Sequence, residues 1–214
     1  MDTATRELLN GIMVYAEIMN NTNIKFHELI EHNTDKQLHE NEQLFYEIIS
    51  EIMRLLPFKR ISKELDCKSG ILLFGTKIPF LIQDYQRIID NPVYKQILED
   101  ISIVRNKFIH EPHNIHAAFY VGGKTSCSMG LYYKTKLCSI STIKLTNIIF
   151  ELNMMFEKLQ KFFMEQADAC GEEYKEYPCY KVMDSYDFKK YNIEYPRVPE
   201  WMLNEPEEDF DFVL

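Results

Sequence analysis

The sequence predicts an all-α protein: a helical bundle with a small β-hairpin insertion and an irregular acidic C-terminal tail. Three observations predict it. Apolar residues recur at helical spacing through most of the first 170 residues. Residues that favour strands gather around a Gly-Gly-Lys turn only between about 115 and 140. From 171 onward the periodicity gives way to four prolines, six of the thirteen tyrosines and an excess of acids. The 214 residues, 46% of them hydrophobic, suffice for one core. The organisation expected is a helical domain over 1–170, carrying the insertion at about 115–140, then a tail over 171–214.

The elements follow in order. TRELLNGIMVYAEIM (5–19) predicts the first helix, and NIKFHELIEH (23–32) a weaker one after it. NEQLFYEIISEIMRLL (41–56) is more clearly periodic and stops at Pro57. A helix over 77–90 precedes Asn91–Pro92, an N-cap and first-turn proline for the next. That helix, PVYKQILEDISIVRNKFIHE (92–111), repeats Val93, Ile97, Ile101, Val104 and Phe108 along one face, and Pro112 sets its end. Residues 115–140 predict a hairpin, or three short strands. The last helix covers 142–170, with Ser139 or Ser141 as cap. Its Met154, Met155, Phe156, Leu159, Phe162 and Phe163 read as core or dimer contact rather than a cofactor box.

Charge and cysteine usage narrow the setting. The net charge is −9, but it is unevenly spread. Residues 171–214 hold 12 acids against 5 bases, while 1–170 hold 21 against 19. The acidity belongs to the tail, and the rest can carry a local basic patch. Five scattered cysteines without a C-x-x-C pair suit a reducing compartment and predict neither a disulfide framework nor a cysteine zinc site. Cys127–Cys138 and Cys170–Cys179 are the conceivable bridges. The start, MDTATRELL, lacks a basic region followed by an apolar stretch, so no secretory signal is expected. GILLFGTKIPFLI (70–82) is interrupted by Lys77 and Pro79 and is too short for a bilayer. A cytoplasmic protein with no membrane contact is the expectation. No G-x-G-x-x-G, P-loop or G-x-S-x-G motif is present.

The most informative stretch is RNKFIHEPHNIH (105–116), which holds three of the six histidines and one of the six arginines. It reads in three ways. As the polar end of a core helix it needs no function. As a metal site it would use His110, His113 and His116 with Glu111, but Pro112 breaks the helix after His110 and the spacing matches no standard zinc pattern. No metal is therefore expected. The third reading is a nuclease site. VRNKFIHEP resembles the signature of HEPN domains: an arginine, a polar residue that is commonly asparagine, three further residues and a histidine, near the end of a helix. The matching residues are Arg105, Asn106 and His110.

The resemblance implies a compact α-helical bundle, matched over 1–170 as architecture, and in many members metal-independent endoribonuclease activity without a cofactor. Histidine suits proton transfer, arginine offers a fixed fork of donors to phosphate oxygens, and asparagine can orient the histidine or contact phosphate. It also implies a homodimer with a composite site. On one helix Asn106 and His110 share a face, whereas Arg105 and His110 diverge by about 140°. Two such helices meeting across a dyad would converge them. Leu98 and Ile109, near Arg105, are candidates for that contact. Some HEPN toxins carry a tyrosine two residues after the histidine, where a partner nucleotidyltransferase modifies them; here that position is Pro112.

Several other residues are candidates for RNA contact: Lys107 within the motif, His113 just after it, and Lys59 and Arg60 beside Lys63 in PFKRISKEL. Glu47 and Glu51 read first as part of a solvated helix face, and second as an added acidic group facing the motif helix. The expected function is an endoribonuclease of toxin–antitoxin or antiviral defence, with RNA as substrate and an antitoxin or defence-system protein as partner. The alternative is a non-catalytic HEPN module that binds RNA, nucleotide or a protein. The acidic aromatic tail has two readings: it wraps its own bundle, or it imitates a nucleic-acid strand over a basic cleft.

Overall fold

The computed structural model describes residues 2–31, 38–55, 79–110, 118–121, 127–133 and 136–185, and over these the chain is chiefly helical. Helix α1 (Thr3–Glu31) starts at Asp2, whose carboxylate accepts from the Thr5 amide at 2.8 Å and the Thr5 hydroxyl at 3.0 Å. These hydrogen bonds hold the Asp2 carboxyl below its ordinary range. The two helices expected over 5–19 and 23–32 are one helix. The run Asn20-Asn21-Thr22-Asn23 reads as a break because short polar side chains compete for backbone groups. Here Thr22 and Asn23 are buried instead. The Thr22 hydroxyl donates to the Ile18 carbonyl at 2.8 Å, and Asn23 pairs with a distant helix.

Helix α2 (Leu38–Leu55) lays Phe45, Ile48, Ile49 and Ile52 against α1. Helix α3 (Pro79–Asp90) is joined to α4 (Pro92–His110) by Asn91, whose side-chain oxygen accepts from the amides of Val93 at 2.9 Å and Tyr94 at 3.4 Å. Ile97, Ile101 and Val104 of α4 are buried and Val93 is half-buried. The fifth position of that expected face, Phe108, has its side chain outside the described residues.

Between α4 and α5 lie three antiparallel strands in the order β1 (Ala118–Val121), β2 (Cys127–Tyr133), β3 (Lys136–Ser141). Phe119 stands opposite Met129, and Leu131 opposite Cys138. Cys138 and Ile140 are two apart, so both point to one face of the sheet, and both are buried. That places β3 on α4 and α5. Helix α5 (Thr142–Ala169) follows at once, capped by the Ser141 hydroxyl accepting from the Lys144 amide at 3.1 Å. Leu145, Ile148, Leu152, Met155, Phe156, Leu159 and Phe163 form its buried stripe; Met154 is 39% exposed. Neither Cys138 nor Cys170 is in a disulfide, so neither conceivable bridge forms.

Helices α1 and α5 are locked by a reciprocal amide pair. Asn23 donates to Asn153 at 2.7 Å, and Asn153 donates back at 2.9 Å and to the Ile149 carbonyl at 3.0 Å. Both are buried, so each unmade bond would cost about 1–3 kcal/mol, and only one alignment of the helices satisfies them all.

The start of the tail departs from the irregular form expected of it. Gly171, at φ 77°, ends α5 in a conformation open to glycine, and the chain restarts as α6 (Glu172–Lys175) and α7 (Pro178–Ser185). Tyr174 and Met183 are fully buried against the bundle. Tyr174 lies against Phe163 of α5, so an aromatic contact holds the start of the tail to the bundle. No helix of the described residues is long and apolar enough to cross a membrane.

Candidate functional site

The site residues sit on the last two turns of α4. Along that helix Lys95, Gln96, Glu99, Asn106 and His110 are exposed and Ile103 is half-buried, a stripe at helical spacing that faces away from the core. Asn106 and His110 stand on this stripe, about 6 Å apart along the axis. Arg105 lies beside it and is half-buried, as is Lys107. The Arg105 Nη1 donates to Asn106 Oδ1 at 3.1 Å, while its Nε is buried without a hydrogen-bond partner. Arginine and asparagine are thus brought together, and His110 is placed in solvent on the asparagine's side of the helix.

Of the other expected contacts, His113, Lys59 and Arg60 lie outside the described residues, with Lys63 and His116. Glu47 and Glu51 are engaged by cations of α1 and α2. Lys25 of α1 reaches Glu47 at 3.0 Å and Glu51 at 3.8 Å, and Arg54 reaches Glu51 at 2.8 Å. Hydrogen bonds from Gln43 and Lys25 hold the Glu47 carboxyl below its ordinary range. Leu98 is buried in the chain's own core, 6% exposed, and is no candidate for a contact between copies. At i−7 from Arg105 it falls on the side that α4 presents to its neighbours, not on the motif's stripe. The Ile109 side chain is outside the described residues. Among the described residues no three His, Cys, Asp or Glu side chains are grouped so as to hold a metal ion.

What supports α4 from beneath was not singled out in the sequence. Glu151 of α5 is 1% exposed and takes Arg87 Nη2 of α3 at 2.5 Å and the Tyr94 hydroxyl of α4 at 3.3 Å. One carboxylate thereby ties three helices at the first turn of α4. A signal for it exists: Glu151 is the one acid between Ile148, Leu152 and Met155 on a buried stripe, and a charge there needs a partner.

The geometry is that of an exposed imidazole, an exposed amide and a guanidinium tethered to that amide, at the end of a helix braced from its other end. No family model matches the chain, and neither a curated protein nor a solved structure matches it.

Proposed function

We propose that the protein is a metal-independent endoribonuclease of HEPN type, in a bundle over 1–170 that carries the sheet as an insertion. The observation that supports this reading is the R-N-x-x-x-H set at the solvent-facing end of α4, with Asn106 and His110 exposed and Arg105 bonded to Asn106. A helix that merely ends at the surface has no need of an arginine tethered beside an exposed histidine.

The chemistry assigned to these groups is an attack by the RNA's own 2′-hydroxyl on the adjacent phosphorus. The P–O5′ bond breaks, leaving a 2′,3′-cyclic phosphate and a 5′-hydroxyl. His110 moves a proton, as base toward the 2′-hydroxyl or as acid toward the leaving oxygen. Arg105 meets the charge that grows on the phosphoryl oxygens. A single imidazole does not do both jobs in one step, which is the reason for assigning a second copy of the chain to the complete site. The partners are therefore RNA, a second copy and an antitoxin or defence-system protein, in the cytoplasm, with Lys107, His113, Lys59 and Arg60 contacting the RNA backbone.

The test is cleavage of varied RNAs by purified protein in EDTA. Activity should survive the chelator, fall by roughly 10²–10⁴ in His110→Ala and by about 10²–10³ in Arg105→Ala, and yield cyclic phosphate ends. RNA binding by the folded wild type with no cleavage would replace the enzyme with the non-catalytic binding module.

A further inference from the structure

Helix geometry sets a problem for Arg105 and His110. Taking Arg105 as the origin, Asn106 lies about 100° around the axis and His110 about 140°. Neighbours in sequence do not face each other on a helix, so a bond between the side chains of 105 and 106 is not given by the backbone. It forms only if the long arginine side chain bends around the cylinder. The 3.1 Å bond from Arg105 Nη1 to Asn106 Oδ1 records that bend. Its direction is toward His110, because Asn106 lies between the two and only about 40° from the histidine.

We infer that Asn106 is a positioning residue that carries the Arg105 guanidinium from the flank of α4 onto the stripe bearing His110. This rests on the ribonuclease reading and adds to it a division of labour. Asn106 acts through Arg105, neither orienting His110 nor binding phosphate itself. Three features suit the role. Arg105 is half-buried with its Nε covered, so the stem lies against the protein and only the far end of the fork is free to turn. The amide oxygen occupies one Nη donor of that fork and leaves the remaining Nη donors for phosphate. Asn106 itself is exposed, so its burial contributes nothing to the core. The consequence is that one chain presents a guanidinium and an imidazole on the same face, and a second copy adds a second imidazole rather than a missing arginine.

Two measurements on the full chain test this. The first needs no RNA: the Arg105 side chain is followed by ¹⁵N NMR in wild type and Asn106→Ala. A held Nη1 slows rotation about the Nε–Cζ bond, so the wild type should show separate Nη resonances that average in the variant. Averaged resonances in the wild type would overturn the inference. The second is a double-mutant cycle on kcat/KM. Asn106→Ala should cost roughly tenfold to a hundredfold when Arg105 is present and less than about twofold in an Arg105→Lys background. Equal losses in both backgrounds would mean that Asn106 works on His110 or RNA directly, and the inference would fall. A wild type that shows held Nη resonances yet cleaves no RNA would refute the ribonuclease reading and leave the positioning contact standing.

Discussion

A single residue, Glu151, shows how a charge can be placed in a core to hold a helix in position. At 1% exposure its carboxylate has lost its water, and the Arg87 guanidinium and Tyr94 hydroxyl replace it. The same bond raises the Arg87 pKa, chiefly through Glu151 itself. Arg87 is 52% exposed, so the pair sits at the rim of the core and its cation remains partly screened. Removing the arginine takes the guanidinium from a buried carboxylate. Arg87→Ala should therefore cost about 3 kcal/mol in urea unfolding, the lower end of the range for a broken buried pair. Adding Glu151→Gln to that variant should recover part of the loss, because a neutral amide keeps the hydrogen bond from Tyr94 without a buried charge. A further loss in the double variant would show that the carboxylate is held by something other than Arg87. Such a contact, 64 residues apart in the chain, is not legible from sequence. The placement of Arg105, Asn106 and His110 together at one helix end was, because it depends only on close spacing within a single periodic element.

Whole elements were legible where one physical signal dominated. The Asn91–Pro92 start of α4 and the Ser141 start of α5 follow from local capping chemistry that needs no partner helix. The joining of α1 across Thr22 and Asn23 depends on Asn153, far along the chain, and so the same residues read locally as a break. The partners of Glu47 and Glu51 were not legible for a related reason: periodicity shows which residues share a face, not which neighbour that face meets. Their actual partner gives a prediction about pH. Glu47 is lowered first by its hydrogen bond from Gln43, then by Lys25. A depressed carboxyl binds its proton more readily in the unfolded chain, where glutamate titrates near about 4.3. Its contribution is thus full above that value and lost as the pH falls through the lowered folded value. Glu47→Gln should melt below wild type at pH 7, and the gap in Tm should close as the pH falls through the lowered folded value and the carboxylate is protonated in both states. A gap that persists unchanged at acid pH would mean that the lost interaction is steric rather than ionic.

At the scale of the molecule, the question is where the domain ends. Composition sets the boundary at 170, since the acids, prolines and tyrosines begin there. Packing sets it later. Phe163 meets Tyr174 edge-on at 6.0 Å, Tyr174 stacks on Tyr177 at 5.6 Å, and the Arg6 guanidinium of α1 lies 5.2 Å over the Tyr177 ring. Gln160 donates to the Met183 carbonyl at 3.5 Å. These contacts join α6 and α7 to the first helix and the last long one, so the bundle is closed by residues that composition assigns to the tail. Two truncations separate the boundaries. A chain ending at Ser185 keeps every one of these contacts, while one ending at Cys170 uncovers Phe163 and discards Tyr174 and Met183. At about 2 kcal/mol for each fully buried side chain, the shorter chain should be less stable than the longer by roughly 4 kcal/mol. Equal stability of the two, by urea unfolding at one protein concentration, would restore the boundary at 170. The choice bears on function as well. A change in RNA cleavage after deletion of 171–214 would mix a loosened bundle with a lost acidic segment, whereas the chain ending at Ser185 removes most of the acids and leaves the support of α1 and α5 intact. Cleavage that rises in that chain would then be attributable to charge.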